Sequence, residues 1–199
     1  MEITIPANNN GDGSLFIQKT YIDKNICQNL IEYFEKHPEQ HPGKMYTADT
    51  LTVNENIKKS TDVYITSSDC DDIAVNNYLI ELQNSLNKYL EKFPTLHKHK
   101  QFVVGDGFNI QRYYPNEGYF QWHCERNSLQ SSPRLLVFTT YLNTVSNGGE
   151  TEFMYQNLKI KPETGLTVIF PADWMYVHRG VTSPTETKWI TTGWFSYVA

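Results

Sequence analysis

The stretch Tyr119-Phe120-Gln121-Trp122-His123-Cys124-Glu125 organises the rest of the chain. It is rich in aromatic residues, contains no glycine or proline, and follows the turn signal Pro115-Asn116-Glu117-Gly118, which together predict a β-strand. Side chains two positions apart in a strand share a face, so His123 and Glu125 are expected to project together, with Cys124 opposite. An imidazole beside a carboxylate supplies two of the three protein ligands of a facial metal site.

The composition sets limits on the kind of protein. The chain has 199 residues, which suits one domain with a sizeable core, and a net charge of −5 without a long basic run. This charge disfavours a general nucleic-acid binder and a membrane-surface binder. Three cysteines without CxxC spacing predict free thiols rather than a disulfide framework. Without a secretory signal pattern or an apolar run approaching about 18 residues, we expect a cytoplasmic protein.

Two amphipathic helices are predicted in the first half of the chain. Asp23 is a suitable N-cap for the first helix, which Pro38 stops. Asp71 or Asp72 caps the second helix, and Pro94 ends it. Leucine and other apolar residues recur at helical spacing in both segments, so these stripes are expected to pack in the core.

The periodicity changes at Gln101. Short apolar or alternating runs follow one another from there, separated by turn signals such as Gly105–Gly107, a pattern typical of a sandwich or barrel. We therefore predict one domain over residues 1–199, of α+β class and mainly β. Residues 1–100 form its helical and strand support region, and residues 101–199 form its β-core.

A third metal ligand is supplied by Val177-His178-Arg179-Gly180, which follows the apolar strand Leu166–Phe170. Two imidazoles and one carboxylate on one face of a metal leave its other positions open. That arrangement is expected of a non-haem Fe(II) oxygenase. The sequence therefore offers His123, Glu125 and His178 as a candidate ligand set.

Lys188 follows His178 by ten residues and opens the last strand. It shares a strand face with Thr192 and Trp194, and a cation there could pair with the distal carboxylate of a dianionic co-substrate. Tyr113 and Tyr141 could supply further hydroxyl donors. The two tyrosines could equally be half-buried sheet residues, and Thr192 and Trp194 could simply face the core.

Residues of roughly 108–197 resemble the catalytic core of the 2-oxoglutarate- and Fe(II)-dependent oxygenases, in their prolyl-4-hydroxylase-like branch. The ordered set of motifs carries the resemblance, because each motif alone is common. The matching pieces are Arg112-Tyr113, His123-Cys124-Glu125, Tyr141-Leu142-Asn143, Gly148-Gly149-Glu150-Thr151-Glu152-Phe153, Ile160-Lys161-Pro162 through Gly165, Ile169-Phe170-Pro171, and His178 with Lys188.

The resemblance implies a double-stranded β-helix, the jelly-roll or cupin-like core, buttressed by the two N-terminal helices. It implies Fe(II) on His123, Glu125 and His178, with no catalytic residue beyond these ligands. It also implies 2-oxoglutarate at a set of cofactor-binding residues: Lys188, Tyr113, Tyr141, Thr192 and Trp194.

The reaction implied by the resemblance is an oxygenation. With O2, 2-oxoglutarate is decarboxylated to succinate and CO2, and a C–H bond is hydroxylated in a peptidyl, prolyl-type residue or in a free amino acid or small metabolite. Ascorbate is expected to support activity. The partner is thus a small-molecule or peptide substrate, with no nucleic acid and no membrane.

One residue departs from the pattern of that branch. Its members usually carry Asp two residues after the first ligand His, and this chain has Glu125. The extra methylene moves the carboxylate by about 1.5 Å, the length of one C–C bond. The departure leaves two other functions open: a catalytically silent jelly-roll module for metal binding, structure or carbohydrate binding, and a cupin-type metalloenzyme that uses no 2-oxoglutarate.

Overall fold

The computed structural model describes residues 15–47, 50–99 and 101–198. These residues form two α-helices, α1 (Lys24–Lys36) and α2 (Ile73–Lys92), three short 3-10 helices and fourteen strands. The strands are β1 (Gln18–Tyr21), β2 (His41–Pro42), β3 (Met45–Thr47), β4 (Thr50–Thr52), β5 (Lys58–Lys59), β6 (Thr61–Ile65), β7 (Phe102–Tyr113), β8 (Gly118–Tyr119), β9 (Arg134–Tyr141), β10 (Thr151–Phe153), β11 (Leu158–Ile160), β12 (Leu166–Pro171), β13 (His178–Gly180) and β14 (Lys188–Tyr197).

Both predicted helix starts are confirmed. The Asp23 carboxylate accepts a hydrogen bond from the Asn25 backbone N–H at 2.7 Å, which caps α1. The Asp72 carboxylate does the same for the Ala74 N–H at 2.8 Å, so Asp72 rather than Asp71 caps α2. The predicted mainly β composition with two helices is confirmed as well. Across the described ranges, neither helix is both long and apolar enough to cross a membrane.

The strands pair antiparallel throughout the described part of the chain. The larger sheet has seven strands in the order β1-β12-β9-β14-β7-β6-β2, and a smaller sheet has three in the order β11-β10-β13. Two further pairs, β3 with β4 and β5 with β8, lie outside these sheets. The two longest strands, β7 and β14, are thus neighbours at the centre of the larger sheet.

The larger sheet is buried on both faces because its side chains alternate. On β12, Ile169 joins the core cluster formed with α1 and α2, whereas Val168 and Phe170 join the cluster formed with the smaller sheet. On β14, Trp189 belongs to the helix-side cluster, and Ile190 packs against the other cluster. The two helices therefore cover one face of the larger sheet. The candidate site residues on β14 lie on the opposite face, toward the smaller sheet.

The predicted turn at Gly105–Gly107 is wrong, because these residues lie inside β7. Phe108 pairs with Gly193 and Val104 pairs with Phe195, so four steps along β7 oppose two along β14. The glycines mark a β-bulge, which bends a strand without ending it. Gly107 has a φ of +151°, and an added Cβ would lie 2.2 Å from the Ile65 carbonyl oxygen. The close backbone approach therefore requires glycine at this position.

Candidate metal centre

The stretch from Tyr119 to Glu125 is not the regular strand that its sequence predicts. Only its first residue belongs to β8, which pairs with β5. His123 instead forms an isolated bridge with His178, with N···O distances of 3.0 and 2.9 Å in the two directions. The segment changes pairing partner between these points, so no continuous ladder can form. The chain bends at Gln121 and again at Glu125.

This irregular segment nevertheless brings the three predicted metal ligands together. One donor atom from each of His123, Glu125 and His178 lies within 4.8 Å of the others. Glu125 Oε1 is 3.3 Å from His123 Nε2 and 3.5 Å from His178 Nε2. The bridge between His123 and His178 explains this proximity, because it places the two imidazoles on neighbouring backbones.

Both imidazoles are oriented for metal binding. His123 Nδ1 is 2.9 Å from the Gln121 carbonyl oxygen, and His178 Nδ1 is 2.9 Å from the Tyr176 carbonyl oxygen. An N–H donated to a carbonyl fixes the proton on Nδ1 and leaves the Nε2 lone pair directed at the centre. Two imidazole nitrogens and a carboxylate oxygen, all acceptors, then converge on one point. The residues present therefore fit a divalent transition metal.

The surroundings favour the protonation states in which these groups can bind a metal, namely a neutral imidazole and an ionised carboxylate. Burial lowers the pKa of His123, and the nearby His178 lowers it further, so the neutral imidazole is favoured. Burial raises the pKa of Glu125, but its contacts with the two imidazoles outweigh this and hold the pKa well below its usual range. Tyr119 stacks on His123 with ring centroids 3.7 Å apart, and Phe170 packs edge-on against His178 at 5.1 Å.

The second carboxylate oxygen of Glu125 has its own partners. The Trp194 indole Nε1–H donates to Oε2 at 3.0 Å, and Arg134 Nη1 lies 3.5 Å from the same oxygen. Trp194 was predicted to bind the co-substrate, and the structure places its indole on a ligand carboxylate. The sequence interpretation missed Arg134. The only sequence feature that points to Arg134 is its position as a single charged residue at the start of the apolar strand β9.

Lys188 is held beside this centre. The residue is 5% exposed, and its ammonium donates to the Gly149 carbonyl oxygen at 3.0 Å. A Cβ placed on Gly180, two residues past His178, would lie 3.8 Å from the ammonium nitrogen. Burial lowers the pKa of Lys188 to about 8, against an opposing effect of Glu150. A buried cation thus lies next to β13, the short strand that begins with the candidate ligand His178.

The two predicted tyrosines are buried rather than half-buried. Tyr113 faces Lys188 across the β7–β14 pair, with the ammonium 5.0 Å from its ring centroid, and its hydroxyl donates to Gln111 at 2.7 Å. The Tyr141 hydroxyl donates to Thr151 Oγ1 at 2.6 Å. Burial raises the pKa of both phenols, so both stay protonated donors at neutral pH.

Thr192 lies on the same face of β14 as Lys188, and its hydroxyl donates to the Phe138 carbonyl oxygen at 3.3 Å. Cys124 does not join the ligand group: its thiol lies 3.9 Å from the Arg126 carbonyl oxygen, to which it donates. All three cysteines are free thiols, as the sequence predicts. The roles of Lys188, Tyr113, Tyr141, Thr192 and Trp194 toward a co-substrate stay predictions.

The chain has recognisable relatives. Residues 108–196 match the 2OG-Fe(II) oxygenase superfamily. A protein of Acanthamoeba polyphaga mimivirus, named as a candidate prolyl 4-hydroxylase, is 24% identical over 200 residues, which span 90% of this chain and 73% of that protein. The matched range agrees with the region of 108–197 that resembles the family by its motifs.

Solved structures share the fold. A prolyl-4-hydroxylase of Pseudomonas putida superposes with a TM-score of 0.69 at 17% identity, over 92% of this chain and 94% of that chain. A prolyl hydroxylase of Trichoplax adhaerens, in complex with a peptide fragment of hypoxia inducible factor, superposes with a TM-score of 0.70 at 14% identity, over 91% and 83% of the two chains. At these identities the likeness concerns the fold.

Site and relatives together define a non-haem dioxygenase that uses Fe(II), 2-oxoglutarate and O2. The matched region and the relatives make the chain similar to the 2OG-Fe(II) oxygenase superfamily, and within it to the prolyl 4-hydroxylases. The chain is accordingly a 2-oxoglutarate-dependent hydroxylase in the general sense.

Proposed function

We propose that the chain hydroxylates a peptidyl residue, proline first, at a centre built by His123, Glu125 and His178. The observation that carries the proposal is the convergence of one donor atom from each of these residues within 4.8 Å, with the buried Lys188 packed near Gly180 of the His178 strand. We place these groups in a double-stranded β-helix, formed by the larger sheet and the smaller sheet that faces it. Residues 1–100 would serve as its support within a single domain.

Each residue has a definite part in this proposal. His123, Glu125 and His178 would hold Fe(II), and the Nδ1 hydrogen bonds keep the two imidazoles neutral and aimed. When bound, Fe(II) with 2-oxoglutarate and O2 supplies the oxidising chemistry that couples decarboxylation to hydroxylation of a C–H bond. Lys188 would pair with the distal carboxylate of 2-oxoglutarate, because its buried ammonium lies 3.8 Å from where a Cβ on Gly180 of the His178 strand would be.

The remaining residues would orient the co-substrate and keep water away. Tyr113 lies next to the Lys188 ammonium, Tyr141 is buried in the same core cluster as Phe153, and Thr192 follows on the Lys188 face of β14. The aromatic rings that pack on the ligand imidazoles exclude solvent from the centre. In such a low-dielectric site, the attraction between an ammonium and a carboxylate is stronger than in water.

A peptide substrate is supported by the relatives and by the surface next to the site. The names of the similar proteins are those of prolyl hydroxylases, one of them bound to a peptide. A pocket of about 230 Å³ borders Lys58, Lys59 and Ser60. Its strand β5 pairs with β8, whose Tyr119 stacks on His123. Its lining includes Gln40, Glu55 and Glu117, polar side chains that suit the hydrogen-bonding backbone of a peptide.

The test is a product screen with purified protein, Fe(II), 2-oxoglutarate, O2 and ascorbate. We expect succinate release and a gain of one oxygen on proline in a panel of proline-containing peptides, detected by mass spectrometry. Matched peptides with alanine in place of proline, and the His178→Ala variant, serve as blanks. Oxygenation of free amino acids alone would contradict the peptide proposal. Absence of succinate with every substrate would contradict the reaction and favour the silent binding module.

A further inference from the structure

The two carboxylate oxygens of Glu125 have different surroundings. Oε1 faces the two imidazole nitrogens at 3.3 and 3.5 Å. Oε2 points the other way, where the Trp194 indole N–H donates to it at 3.0 Å. Glu125 is 15% exposed in its side chain, so protein surrounds most of the side chain. The carboxylate is thus held with one oxygen toward the candidate metal position and one away from it.

Trp194 is itself held in place. The Arg134 guanidinium lies over the indole, 3.5 Å from the ring centroid, and its Nη1 donates to the Glu125 backbone carbonyl at 2.9 Å. The β7 bulge lies directly opposite on the neighbouring strand, since the register shifts between Gly193 and Phe195. A bulge of this kind re-aims the side chains around it. The indole N–H is therefore a fixed donor, because its ring stacks under a cation and its backbone lies within β14.

We propose that Trp194 is a positioning residue for the ligand carboxylate: its indole N–H fixes Glu125 Oε2, so that Oε1 alone faces the two imidazoles. The inference rests on the proposed metal centre. It also explains how the chain accommodates glutamate, whose additional rotatable bond gives the carboxylate more freedom than an aspartate has. An indole suits this role because it donates one hydrogen bond, carries no charge and cannot compete as a ligand.

The experiment measures metal affinity without turnover. Mn(II) is titrated into the purified protein and the free ion is followed by electron paramagnetic resonance. Trp194→Phe, which keeps the ring and removes the donor, should weaken Mn(II) binding about tenfold, the lower end of the effect of losing such a supporting hydrogen bond. The matched control is Trp189→Phe on the opposite face of β14, where the ring packs against Phe34. It should leave the affinity unchanged.

A double-mutant cycle separates positioning from general damage. In a Glu125→Asp background the side chain is about 1.5 Å shorter, so the carboxylate no longer reaches the indole N–H of Trp194. Because that hydrogen bond is already lost, adding Trp194→Phe should change the Mn(II) affinity less than twofold. An equal loss in both backgrounds would overturn the proposal, and so would Trp194→Phe binding within twofold of the parent. Failure of the metal centre has a different signature: the parent itself would bind Mn(II) no better than His178→Ala.

A second measurement uses the intact indole, in case Trp194→Phe does not fold. The four tryptophans give four side-chain N–H resonances, which variants of the other three assign by elimination. Glu125→Ala removes the acceptor and should move the Trp194 resonance upfield by more than those of Trp174 and Trp189. An unmoved Trp194 resonance would overturn the inference.

Discussion

Replacing Lys188 with methionine should make the protein more stable while it removes 2-oxoglutarate binding. Burial lowers the pKa of Lys188 from 10.5 to about 8 in the folded protein. This difference of about 2.5 units corresponds to roughly 3 kcal/mol that the charged form costs at pH 7. The hydrogen bond to the Gly149 carbonyl returns about 1 kcal/mol. Lys188→Met should therefore raise the free energy of unfolding by about 2 kcal/mol.

Urea denaturation at several pH values measures this effect. Between pH 8 and 10.5 the unfolded parent still binds the Lys188 proton and the folded parent does not, so the parent gains stability as the pH rises through this window. The advantage of Lys188→Met should be greatest below pH 8 and should shrink toward pH 10. At pH 7 it should appear as a rise in Tm of about 4–8 °C, given roughly 2–4 °C per kcal/mol for a chain of this length.

The control is Lys161→Met, at an exposed lysine for which no such gain is expected. Calorimetry with 2-oxoglutarate on the Mn(II)-loaded protein completes the experiment, and binding should be lost in Lys188→Met and kept in Lys161→Met. A Lys188→Met protein that is less stable than the parent at pH 7, or that binds 2-oxoglutarate with parental affinity, would refute the reasoning.

Three further predictions concern Lys188, the buried Asp62–Lys58 pair and Gly165. The affinity for 2-oxoglutarate should fall as the pH rises above about 8, where Lys188 loses its proton, and calorimetry of Lys188→Arg should show no such fall below pH 10. Asp62→Asn should lower the free energy of unfolding by about 3 kcal/mol, because it removes the charge 2.6 Å from the buried Lys58 ammonium; urea denaturation should show a smaller loss when Lys58→Met is added. Gly165→Ala should cost about 1–3 kcal/mol by the same assay, since Gly165 has a φ of +86° and an added Cβ would lie 2.5 Å from the Ile22 carbonyl oxygen.

The helices and the order of the candidate ligands are readable from the sequence because they depend on local chemistry. Asp23 and Asp72 cap helices by bonding to backbone groups two residues away. Lys188 and Trp194 share a strand face whatever the strand's partners are, because alternation is a property of the strand itself. For the helix caps and the strand alternation, tertiary contacts preserve a pattern that is already present in the sequence.

The features that depend on distant partners could not be predicted from local patterns. The aromatic run that ends at Glu125 has the propensity of a strand, but its ends pair with two different strands, so it bends. Gly105–Gly107 has the composition of a turn, yet the long partner β14 carries the strand through it as a bulge. Arg134 is joined to the site only because β9 lies beside β14. Each outcome was decided by strand pairing across more than fifty residues of sequence.

The most direct test of the central claim is visible absorption of the protein under anaerobic conditions with Fe(II) and 2-oxoglutarate. We predict a charge-transfer band that requires both additions, because 2-oxoglutarate would chelate an iron held by His123, Glu125 and His178. The band should be absent from His178→Ala and, because 2-oxoglutarate binding is lost, also from Lys188→Met. A parent protein without the band, or a band that persists unchanged in His178→Ala, would contradict the assignment of this centre.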